Sequence, residues 1–181
     1  MRALPAALAA LALTACSPEY DWREVRSSQD GWIAMLPGKP ASLTRRIRLD
    51  DIEVPMSMQG AKVGETSFTI AVAELPDAAE ATRERALAAM RAGMLHNIAA
   101  SAPPVTGIRV PVVDAAGVKV DEAPAWEVRA SGASQARPMQ MHAAFAARGA
   151  RAWQWVVLGP APDAEQARTF VASFRLLQGA R

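Results

Sequence analysis

From Leu43 to Met58 the chain alternates apolar and polar residues almost without a break, and this period of two constrains the fold more than any other feature. Successive side chains of a strand point to opposite faces, so such a run has one face to bury and one to leave in water. Leu43, Ile47 and Leu49 alternate with Thr44, Arg46 and Arg48, and Ile52, Val54, Met56 and Met58 alternate with Glu53, Pro55, Ser57 and Gln59. Asp50-Asp51 between the two runs suits a two-residue turn, which pairs Leu49 with Ile52 and Ile47 with Val54. The same register sets Arg45 opposite Met56 on the apolar face, an exception that a bulge or a sheet edge would accommodate.

The pattern continues along the chain. Trp22 to Arg26 is a short strand candidate, and Gly31 to Pro37 is a clearer one, ended by Gly38-Lys39-Pro40. Phe68, Ile70 and Val72 mark another, closing at Leu75-Pro76. A helix follows, with Asp77 as expected N-cap, Glu80 at capping-box spacing, and Leu87, Met90, Met94 and Ile98 as its buried stripe. Strands are expected near Ile108–Val113, Val118–Val120 and Pro124–Ser131, with Asp114 to Gly117 as a hairpin loop. In the last hairpin, a single core face requires a three-residue loop, Arg148-Gly149-Ala150, pairing Phe145 with Trp153 and Met141 with Val157. A closing helix from Asp163 would pack Ala167, Phe170, Val171, Phe174 and Leu177. The expected fold class is therefore α+β, an antiparallel sheet of about eight strands with two packed helices in one domain, residues 21–178.

Ahead of that domain, Arg2 and the apolar run Ala3–Leu13 read as a secretory signal, too short to cross a bilayer of ~30 Å. Leu13-Thr14-Ala15-Cys16 resembles the lipobox of bacterial lipoprotein precursors. That resemblance implies cleavage after residue 15, lipid on Cys16, and a short tether over residues 16–20. Three acyl chains at ~0.8 kcal/mol per buried CH₂ would hold such a chain to the membrane permanently. Ser17 in place of an aspartate points, by the same resemblance, to the outer membrane of a two-membrane bacterium, facing the periplasm. Ser17 to Tyr20 reaches at most ~14 Å, so the folded body is expected close to the lipid surface.

Without Arg2, 19 basic side chains face 18 acidic ones, which supplies no global field for nucleic acid. Cys16 is the only cysteine, so acylation leaves no thiol for a disulfide, a thiolate metal site or a nucleophile. GWIAMLPGKP early in the body, FTIAVAELP before the long helix and FVASFRLL in the closing segment resemble the PsbP-like α/β/α sandwich. This fold is known from extrinsic photosystem II proteins and from many small bacterial lipoproteins. The resemblance implies a scaffold that binds other proteins without performing chemistry, and it transfers no site residues.

Four groups of residues remain as candidate sites. Met56-Ser57-Met58 and Met139-Gln140-Met141 each project two thioethers to one face of a strand, a donor type that selects Cu(I). Both pairs fall on faces assigned to the core, where methionine serves as adaptable filler. Arg45, Arg46 and Arg48 could meet lipid phosphate or an acidic partner, although charges on an edge strand also discourage aggregation. Trp126, Trp153 and Trp155 alternate in phase with other apolar residues and read as core, whereas Trp22 and Trp32 could form an exposed binding edge. His96 falls opposite its helix's apolar stripe, and His142 on the strand face opposite Met139 and Met141. No phosphate loop, metalloprotease, nucleophile-elbow or dinucleotide motif occurs, and no cofactor is expected. These observations lead to a lipid-anchored, non-catalytic module that binds another envelope protein. A periplasmic small-ligand or Cu(I) carrier using the methionine pairs is the alternative.

Overall fold

The computed structural model describes residues 19–179, so Cys16 and the expected signal lie outside the described residues. The element order is β1 (Arg23–Ser27), β2 (Trp32–Leu36), β3 (Ala41–Leu49), β4 (Ile52–Val63), β5 (Thr66–Glu74), α1 (Glu80–Asn97), β6 (Val105–Val113), β7 (Lys119–Ser134), β8 (Arg137–Arg148), β9 (Arg151–Gly159), α2 (Ala164–Ser173) and β10 (Arg175–Leu177). Ten strands, against the eight expected, form one sheet in the order β1-β2-β10-β6-β7-β8-β9-β5-β4-β3. It is mixed, because β10 runs parallel to β6 while every other pair is antiparallel.

The β3–β4 hairpin has the register read from its alternation, including Leu49 with Ile52, Ile47 with Val54 and Arg45 with Met56. β3 is an edge strand with most of its side chains in water, which is why an arginine is tolerated on that face. The loop after β6 also forms as expected. Asp114 Oδ1 accepts from the amides of Ala116 and Val118, and Gly117 takes φ +85°. Asp163 caps α2 by accepting from the amides of Glu165 and Gln166.

Elsewhere the structure differs from the expectation. The β8–β9 turn has two residues, Gly149 and Ala150, so Phe145 lies opposite Gln154, and Trp153 opposite Ala146. The longer loop followed from assuming one buried face, and the sheet is buried on both. Trp153, Trp155, Val157, Phe68 and Ile70 join α2 in one core, while Phe145, Met141, Val156 and Ala71 join α1 in the other. α2 stops at Ser173, and residues 175–177 form β10, where Leu176 is buried and Leu177 half-buried. Asp77 does not cap α1. Ala79 occupies the N-cap and Asp77 Oδ1 accepts from its amide at 2.9 Å. The buried stripe of α1 is Thr82, Ala86 and Met90, then Leu95, leaving Leu87 and Met94 at its margins.

α2 packs on β2 and also on β8 and β9. In a flat sheet β2 and β9 would stand ~24 Å apart at ~4.8 Å per strand, more than the width of one helix, so the sheet curls round α2. The β1–β2 turn bridges the curl: Trp153 Nε1 donates to the Asp30 carbonyl and Ser57 Oγ to its carboxylate, each at 2.8 Å. On the opposite face, α1 ends against β7, where a Cβ on Gly132 would meet the Ile98 carbonyl at 2.0 Å. Tyr20 stacks on Trp22, and both rings meet Phe68 edge-on, clasping the start of the body onto β5 beside the β4–β5 turn.

Candidate functional site: a tryptophan groove and a histidine cleft

The methionine pairs face the α1 core but do not converge. Met56 and Met141 are buried, and Met58 and Met139 pack beside them. β5 and β9 run between β4 and β8, so the two pairs stand ~14 Å apart across three strand spacings. The basic run is not one patch either. Arg46 and Arg48 share a face, where Arg46 pairs with Glu53 at 2.6 Å, while Arg45 points to the other side; all three are exposed. Among the described residues no group of three His, Asp or Glu side chains could hold a metal ion.

Two tryptophan expectations exchange places. Trp32 is fully buried at the centre of the α2 core and cannot be a binding edge. Trp22 is half-buried and donates from Nε1 to Gln166 Oε1 at 3.0 Å. Trp126, expected in the core, is 38% exposed on the α1 face of β7. α1 covers the β8–β9 side of that face and stops short of β6. Trp126 lies opposite Gly107, which carries no side chain and has open space above it, and near the exposed Val105.

A groove of about 460 Å³ opens between Trp126, Pro124 and Leu87, below the first turns of α1. Glu84 and Arg91 of α1 flank the apolar continuation of the groove over Phe145. Arg148, by contrast, has the parity of Ala146 and its side chain lies on the α2 side of the sheet, where Asp121 stands 3.6 Å from one terminal nitrogen and Nη1 is shut off from solvent with no hydrogen-bond partner among the described residues.

The other face of the same strands carries a second site. Down β7 the side chains facing α2 run Ala123, Ala125, Glu127, Arg129; down β8 they run Ala146, Ala144, His142, Gln140. The wall thus turns from apolar to polar midway. His142 Nε2 lies 2.9 Å from Glu127 Oε1, and Arg129 Nε donates to the same oxygen at 3.0 Å. Burial pushes the His142 pKa below its ordinary value, the Glu127 carboxylate opposes this, and Arg129 adds to the lowering. Two cavities of about 250 and 270 Å³ flank the imidazole beneath α2. His96, by contrast, is exposed near the end of α1.

Helices on both sides of one curled antiparallel-rich sheet define a PsbP-like α/β/α sandwich. Among solved structures, the chain is similar to the solution structure of cyanobacterial PsbP (CyanoP) from Synechocystis sp. PCC 6803. The two superpose with a TM-score of 0.51 over 90% of this chain and 95% of that one, at 10% identity. No protein-family profile matches the chain. No curated protein sequence matches it. The likeness concerns the fold and carries no residue of either site.

Proposed function

We propose that this chain is a membrane-anchored envelope lipoprotein, held by lipid on Cys16, whose sandwich domain binds another envelope protein without performing chemistry. The observation that carries the reading is the α1–β7 groove, where an exposed tryptophan stands beside Leu87 and Arg91 of α1. Partly exposed tryptophan and arginine side chains are the residue types that most often anchor protein interfaces. The occupant is a segment of a partner protein that lays an apolar side chain on Trp126 and Leu87 and offers a carboxylate to Arg91. The lipobox supports the anchor, the absence of catalytic motifs supports a binding role, and the outer membrane facing the periplasm is the proposed location.

The test places benzoylphenylalanine at Leu87 in cells that make the chain, with Leu43, which is 57% exposed on the far edge strand, as the control position. The expected result is one discrete cross-linked protein from Leu87, lost in Trp126→Ser and absent from Leu43. Equal adducts from both positions, or none from Leu87, would overturn the groove. Intact mass of the membrane-extracted chain tests the anchor separately, since acylation adds three fatty chains at Cys16.

A further inference from the structure

The cleft under α2 is not explained by the needs of folding. The positions above His142 and Glu127 on the same faces are alanines, Ala144 and Ala125, so the sheet closes there without polar groups. Toward the lower end of β7 and β8 a buried imidazole, a carboxylate and a guanidinium replace them, beside open volume. Burying polar groups is costly unless they are paired, and these are paired with one another rather than with α2. Their outward sides face the two cavities.

The two cavities differ in character. The larger, about 270 Å³, has an apolar floor of Val110, Val171 and Trp155, with Trp155 stacked on Phe174 at 4.0 Å. Its rim carries Arg168 of α2 and Arg129 of β7. Arg168 uses Nε on the Ala164 carbonyl, and its terminal nitrogens have no partner among the described residues. Glu127 is occupied by His142 and Arg129. The cleft therefore holds two guanidiniums against one engaged carboxylate and a surplus of positive charge. Its volume falls just under the ~300–1,000 Å³ of ordinary ligand sites.

From this arrangement we infer that the cleft between α2 and β6–β8 is a binding site for a small organic anion with a flat apolar body. The body lies over Val171 and the half-buried Ile108, and the anionic group bridges Arg168 and Arg129, with His142 fixing Glu127 and so the Arg129 side chain. This site is on the opposite face from the Trp126 groove and stands whether or not the chain is anchored or has a protein partner.

Calorimetric titration of the full chain in lipid nanodiscs with naphthalene-1-sulfonate tests this, with empty nanodiscs as the blank. One saturable site per chain is expected. Naphthalene-1-methanol, which lacks the charge, should bind at least tenfold more weakly. Arg168→Gln and Arg129→Gln should each weaken the sulfonate at least tenfold, and both residues are exposed enough for the variants to fold. Val171→Trp, which fills the cavity, should abolish binding, and Trp126→Ser in the groove should leave it unchanged. No saturable binding, equal binding of the neutral analogue, or indifference to both arginine substitutions would overturn the inference.

Discussion

The two faces of the sheet are packed with different materials. The face that curls round α2 is filled by large rigid rings: Trp32, Trp153, Trp155, Phe68, Phe170 and Phe174 are all fully or almost fully buried. The face under α1 is filled by branched aliphatics such as Leu49, Leu75, Leu95 and Ile98, with Met56, Met90, Met141, alanines and a single ring, Phe145. Rings with few rotamers bury much area in one arrangement, whereas methionine adapts to irregular gaps. The concave face thus fixes the shape of the domain. The α1 face is the more forgiving of the two and is the one that leaves a tryptophan in water.

That contrast can be broken at several points. Phe170→Ala on the concave face should cost ~3–5 kcal/mol in denaturant unfolding, since no neighbour can fill the space. Gly132→Ala should cost ~1–3 kcal/mol, because the new Cβ forces α1 off the β7 backbone. Met56→Leu and Met141→Leu should each cost less than ~1.5 kcal/mol, and a loss matching that of Phe170→Ala would erase the distinction between the faces. A smaller effect is expected from pH. His142 has a lowered pKa in the folded chain, so the unfolded chain takes up its proton first as pH falls. Stability should be full above about pH 6.5 and decline below it, and His142→Gln should flatten that decline. Trp126→Ser should change stability by no more than ~0.5 kcal/mol while abolishing the Leu87 cross-link.

Local patterns were readable in the sequence, and patterns that depend on the number of buried faces were not. The β3–β4 register, the Asp114 loop and the Asp163 cap each depend on a few neighbouring residues and are found as expected. The β8–β9 turn was misread because alternation assigns side chains to two faces but does not say whether one or both are covered. The same ambiguity exchanged Trp32 and Trp126: α2 covers the first, while α1 leaves the second open on the other face. β10 was hidden because residues 175–177 continue the apolar pattern of α2 for one more turn. Neither site was legible. His142 and Glu127 meet only through the β7–β8 pairing, and Trp126 meets Leu87 and Arg91 only through the way α1 lies across β7 and β8.

The aromatic clasp at Tyr20 and Trp22 has a consequence for reach. It grips the chain beside the β4–β5 turn, where Arg137, at the start of β8, pairs with Glu65 at 2.6 Å. Arg148, at the groove, is the last residue of the same strand. A twelve-residue strand spans ~36–40 Å. On the anchored reading, the clasp turns β8 into a fixed-length ruler rising from the lipid, and the groove faces outward near its upper mark. Partners would then be selected first by the height at which they present their segment, and lengthening residues 17–19 would change which of them the groove can meet.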